Sequence, residues 1–142
     1  MYWITEAFKN YADFSGRACR AEYWVFSAFL WVTSIVLAVL DALLGWKVGP
    51  DIGVLGSVFS VVTLVPALSV TARRLHDLGH SGGWLIVSVL PLLMLAVSVG
   101  MKNGEAILLS VVLVVLSGLA FSIVTMFRGT RGYNEYGPDP LE

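Results

Sequence analysis

Hydrophobic and polar positions in this chain fall into blocks. Four long apolar runs, at 24–44, 52–72, 84–101 and 106–127, are divided by short polar segments. Each is about the ~17–25 residues that a helix needs to cross a hydrocarbon core of about 30 Å. Asp41 is the one Asp, Glu, Lys or Arg inside them. The pattern predicts an all-α polytopic membrane protein, a single membrane domain over 1–142 built as one compact four-helix bundle. It also confines any chemistry to the segments between the helices.

Residues 1–12 carry a shorter periodicity. At ~100° per residue, Met1, Trp3, Ile4, Ala7, Phe8 and Tyr11 share one helical face, and Thr5, Glu6, Lys9 and Asn10 the other. This predicts an N-terminal amphipathic interfacial helix, aromatic side down at the headgroup boundary. Packing on the ends of the other helices is compatible with it. Phe14-Ser15-Gly16 breaks that helix, and Tyr23 and Trp24 stand where aromatic belts form. The loop at 45–51 holds Gly45, Gly49 and Pro50, so the first two spans form a tight hairpin. Pro66 and Pro91 predict kinks in the second and third spans, with Thr63 and Ser88 placed to meet the freed carbonyls. The pairs Gly53/Ser57, Gly56/Ser60 and Gly118/Ser122 allow close helix contact. Asp41 lies near a helix end, which favours capping or a bond to Trp46 over an ion site.

Composition agrees: 57% of residues are hydrophobic and 13% charged, against about 25% charged in soluble domains. Placement of charge says more than its sum. Lys9, Arg17, Arg20, Arg73, Arg74, Arg128 and Arg131 lie before the first span, after the second and after the fourth; only Lys47 and Lys102 lie in the other two loops. Lys and Arg accumulate on the cytoplasmic side, so both termini and the middle loop are expected there. Cys19 is the lone cysteine, which excludes an intrachain disulfide. The first ~23 residues show no continuous apolar h-region, so the first span is expected to act as an uncleaved anchor.

Three polar clusters remain, all on the expected cytoplasmic side. They run from Phe14 through Arg17, Arg20 and Glu22 to Trp24; from Arg73-Arg74-Leu75-His76-Asp77 through Gly79 and Ser81 to Trp84; and from Gly129 through Asn134 and Tyr136-Gly137-Pro138-Asp139 to Pro140. As GRxxRxEYW, RRLHDxGxSG and GxNxYGPDP, in this order, they resemble the bacterial inner-membrane family called domain of unknown function 805. The Leu40-Asp41 and Gly45-Trp46 pairs resemble it too, while Gly83 stands where that family often has Trp. The resemblance spans essentially the whole chain and implies membership, with no reaction attached.

The residues themselves suggest a binding surface. Arg17, Arg20, Arg73 and Arg74 are fork-shaped donors suited to carboxylates and phosphates, with Glu22 and Asp77 on the same side. An Arg–carboxylate lattice tying helix ends together is the plainer reading, and an anionic lipid or phosphorylated ligand the sharper one. His76 and His80 stand four apart, a two-ligand spacing on a helix. Gly79, Gly82 and Gly83 weaken any helix there, and further ligands are missing, so neither metal nor cofactor is expected. A hydrolase with His76 oriented by Asp77 would have only Ser81 as a near nucleophile. The tail is expected to fold back over the cytoplasmic face.

These considerations favour a non-catalytic protein whose polar face takes a protein partner or anionic lipid through Arg17, Arg20, Glu22, Arg73, Arg74, His76, Asp77, Ser81, Asn134, Tyr136 and Asp139. Nucleic acid is not expected as a partner and membrane lipids are; the small-residue pairs suit packing within the monomer as well as a homo-oligomer, which leaves the oligomeric state open. The alternatives are a small transporter or channel subunit acting as an oligomer, and thirdly a membrane-embedded enzyme using His76 and Asp77. Against transport, the spans lack mid-membrane charge.

Overall fold

The computed structural model describes residues 2–49 and 52–141. Met1 on the first helical face, Pro50 and Asp51 in the first loop, and Glu142 lie outside them. Among the described residues the chain is all-helical: α1 (Tyr2–Lys9), α2 (Arg20–Leu44), α3 (Val54–Asp77), a 3-10 turn (Gly82–Leu85), α4 (Ile86–Gly100) and α5 (Gly104–Met126). Four stretches, Arg20–Leu44, Val54–Asp77, Gly82–Gly100 and Gly104–Met126, are long and apolar enough to cross a membrane. Their apolar side chains point outward; Trp31, Leu43, Val61 and Leu108 are each more than 70% exposed. That is the face lipid would cover.

α2 packs mainly on α3 and α4 on α5, as two antiparallel hairpins. The ends of α3 and α5 and the starts of α2 and the tail gather at one pole, here the polar end. Beside it, α1 lays Ile4, Ala7 and Phe8 on Phe26, Phe29 and Val70. Phe8 meets Phe26 edge-on at 5.5 Å. α1 stops at Lys9, short of the expected residue 12. The next residues are tied down by Ser69, whose hydroxyl donates to the carbonyls of Asn10 and Asp13.

Pro66 has no N–H to offer the carbonyl of Val62, four residues back. The Tyr11 hydroxyl supplies that bond at 2.5 Å. Thr63 does not: its hydroxyl bonds Phe59 on its own helix, and Ser88 likewise bonds Leu85. Both hydroxyls reach carbonyls of their own preceding turn, three and two residues before Val62 and Val87, the ones the prolines free.

At the opposite pole Gly45 turns the chain with φ +66°. Gly53, the first cap of α3, has no side chain to offer, and Asp41 of α2 takes over. Its Oδ1 accepts the Leu55 N–H at 3.0 Å and its Oδ2 the Gly56 N–H at 2.9 Å. A carboxylate at a helix N-terminus compensates the unpaired amides and the dipole together. Trp46 bonds the Asp41 backbone carbonyl instead of the carboxylate.

Candidate functional site: a closed arginine lattice

α3 runs farther than its apolar stretch. Arg73 through Asp77, expected in a loop, form its last turn. The helix continues because the polar pole buries these side chains instead of leaving them in water: Arg73, Arg74, Leu75 and Asp77 are all buried. Gly79, with φ +77°, then turns the chain away.

Asp77 is the hub. Its Oδ1 accepts from Arg17 Nε at 3.0 Å and Nη2 at 2.8 Å, and its Oδ2 from Arg74 Nη1. Arg17 also donates through Nη1 to the carbonyl of Gly132 at 2.6 Å, and through Nη2 to that of Thr130. Arg74 donates to the Thr125 carbonyl through Nε at 3.2 Å and Nη2 at 3.0 Å, and to the Phe127 carbonyl. These are end-of-helix carbonyls of α5 that lack intrahelical partners. One guanidinium therefore closes α5 and pins it to α3. A second contact, Arg73 Nη1 to Glu22 Oε1 at 2.7 Å, joins α3 to α2. It pairs charge without hydrogen-bond alignment, since Glu22 Oε1 and Arg73 Nε and Nη2 have no hydrogen-bond partner among the described residues.

The tail is laced onto this core. Thr130 N–H donates to the Asp77 carbonyl at 2.9 Å. Asn134 Nδ2 donates to the His76 carbonyl at 2.9 Å and to Thr130 Oγ1 at 2.8 Å. The Tyr136 ring stacks on His76, centroids 4.0 Å apart and planes 2° off parallel. His76 Nδ1 is 3.1 Å from the Gly16 carbonyl. A carbonyl only accepts, so Nδ1 carries the proton. Asp139 turns the end of the tail, accepting the Gly132 and Leu141 amides.

Not every residue named from sequence joins in. Arg20 makes only a 3.5 Å contact to the Met126 carbonyl. Ser81 is exposed at the start of the 3-10 turn. His80 lies past the end of α3, its ring 5.9 Å from that of Trp84. Among the described residues no three His, Cys, Asp or Glu side chains converge as metal ligands. The sequence reading missed Gly129, Thr130 and Gly132, whose role is to bring carbonyls or a bare backbone against the hub. Outside the spans, hydrogen bonds from Ser15 hold the exposed Asp13 carboxyl below its ordinary range.

Buried arginines and their carboxylate thus carry a structural load, and the free charge lies at the rim. Arg20, Arg128 and Arg131 are exposed.

Comparison with known proteins agrees with the motif order. The family model described as "Protein of unknown function (DUF805)" matches residues 11–138. The chain is 31% identical over 140 residues to inner membrane protein YhaH of Escherichia coli K12, covering 99% of this chain and 97% of that one. For inner membrane protein YhaI of the same strain the identity is 30%, with 99% and 96% covered. For the YiiR protein of that strain it is 30% over 131 residues, with 89% and 85% covered. No solved structure matches it. With the family model covering most of its length and the motifs of both termini lacing one lattice, this membrane protein belongs to the DUF805 family.

Proposed function

We propose that this is a non-catalytic protein of the bacterial inner membrane, both termini cytoplasmic, whose polar end binds anionic phospholipid headgroups. One observation carries the reading: Arg17 and Arg74 spend their donors on Asp77 and on backbone carbonyls, whereas Arg20, Arg128 and Arg131 stay exposed without a carboxylate partner among the described residues. Exposed arginines at a helix–water boundary attract anionic lipid by about 1 kcal/mol each. The split of Lys and Arg between the two poles supports the orientation, and the named inner-membrane relatives support the compartment. α1 fits the same picture as an interfacial helix. It spends Ile4, Ala7 and Phe8 on packing and leaves Tyr2 outward at headgroup level, with Phe14 exposed in the segment that follows.

The same geometry removes the pair on which the acid–base reading rested. Asp77 faces two arginines and does not orient His76, which is held instead by the Gly16 carbonyl. The test is lipid preference: the full chain, purified in mild detergent, is offered mixed phosphatidylcholine and phosphatidylglycerol, and bound lipid is measured by native mass spectrometry. Enrichment of phosphatidylglycerol is expected, and equal retention of both refutes the reading. Labelling of cysteines placed at Lys47 and Lys102 from outside the cell tests the orientation.

A further inference from the structure

We infer that Arg20 and Arg128 form a two-pronged seat for the phosphodiester of one anionic phospholipid, whose acyl chains lie along the outer faces of α2 and α5. This rests on the lipid-binding reading above and names its residues.

Arg20 is the first residue of α2, and Arg128 stands two residues past the end of α5. Both line one small cavity, together with Cys19, Gly129, Thr130 and Asp139. Its volume of about 20 Å³ suits a single water, so a phosphate would sit on its mouth, between the two forks. Two carboxylates border the cavity, and among the described residues neither is paired with these arginines. Asp77 has both oxygens on Arg17 and Arg74. Asp139 has its two oxygens on the Gly132 and Leu141 amides. Arg20 has only its long contact to Met126, and Arg128 has no partner among the described residues. Two unspent planar forks beside a shared hollow match the tetrahedral oxygens of a phosphodiester.

What distinguishes a lipid from free phosphate lies below the arginines. Arg20, Trp24, Ala28 and Trp31 recur at helical spacing down α2. Trp31 is 74% exposed. On α5 the corresponding column is Phe127, Ile123 and Leu119, at 63%, 58% and 57% exposure. Both columns begin at the arginine level and descend into the apolar span, as a lipid's chains do from its phosphate. Inorganic phosphate would gain only the two forks.

The experiment uses the full chain, the same lipid mixture and native mass spectrometry, comparing wild type with Arg20→Gln/Arg128→Gln and with Lys102→Gln. The double variant is expected to lose about tenfold in phosphatidylglycerol retention, a change of about 1.4 kcal/mol, while Lys102→Gln, at the opposite pole, retains it. Both arginines are exposed, so unchanged circular dichroism and melting temperature are expected. A double variant that keeps the wild-type preference overturns the seat and leaves the lipid reading standing. Absence of preference in the wild type defeats both. Millimolar inorganic phosphate should not displace the lipid; if it does, the occupant is free phosphate and the lipid assignment falls.

Discussion

Gly129 lies directly on the Asp77 carboxylate: a Cβ built on it would stand 2.0 Å from Oδ2 and 2.4 Å from Cγ. The tail crosses the hub at backbone thickness, and no side chain fits there without moving Asp77 off its arginines. Gly129→Ala is expected to cost roughly 1–3 kcal/mol as overpacking, read as a lower melting temperature in detergent. Gly118→Ala is the control. Nothing lies within 4 Å of its Cβ, and a helix-interior glycine replaced there gains about 0.5–1 kcal/mol. Equal effects at the two positions would remove the steric argument.

Asp77→Ala strands two buried cations and is expected to cost about 3–5 kcal/mol, with little folded protein recovered from the membrane. Arg17→Ala costs less, because Arg74 still faces the carboxylate. Arg17→Lys does not rescue it, since an ammonium cannot replace the Nε and Nη donors of the fork. Thermal melts of the three variants give the ranking, and a benign Asp77→Ala would refute the hub.

Tyr11→Phe removes the hydroxyl that donates to the Val62 carbonyl. Leaving a carbonyl unpaired is expected to cost about 1–3 kcal/mol. Pro66→Ala restores the helical N–H, so in its presence Tyr11→Phe should cost much less. A double-mutant cycle on melting temperature reads the coupling. Additive effects would mean that the hydroxyl and the proline are unrelated.

Asp41→Ala leaves the first amides of α3 uncapped and is expected to cost about 0.5–2 kcal/mol. Gly53→Ala should harm by a different route, because its Cβ would lie 2.1 Å from Asp41 Oδ2. Hydrogen exchange at Leu55 and Gly56 should rise in Asp41→Ala, and protection at the wild-type level there would contradict the cap.

His76→Gln keeps a donor for Gly16 and loses the stack on Tyr136. The lost ring contact is about 0.5–1.5 kcal/mol, expected to appear as faster proteolysis of the tail with unchanged amounts of folded protein. Should a well-folded His76→Gln protein abolish the phenotype it complements, the structural role of this histidine would give way to a catalytic one.

The four spans are legible because lipid-facing helices are written as uninterrupted apolar runs. The gathering of the polar clusters is legible as well, since Arg17, Arg74 and Asp77 carry opposite charges on segments that a four-span topology brings to one pole. The end of α3 is not: a helix turn with Arg73, Arg74 and Asp77 reads as loop when burial of its charges cannot be foreseen. Nor are the partners that are backbone atoms. Thr125, Phe127, Thr130 and Gly132 act through carbonyls, which every residue has, and Tyr11 serves a carbonyl exposed by a proline far along the chain. Gly129 matters for atoms it lacks, and only the path of the tail reveals that.

Arg17 is made early and completed late. Asp77 follows it by 60 residues, but its carbonyl partners Thr130, Gly132 and Gly137 follow by 113, 115 and 120, so during synthesis these last bonds wait until the final span has emerged. A chain stopped just after α5 would possess every span and every buried ion pair, and still lack the carbonyls of Thr130, Gly132 and Gly137 that complete Arg17. Completion of the product is thereby recorded in the state of one arginine.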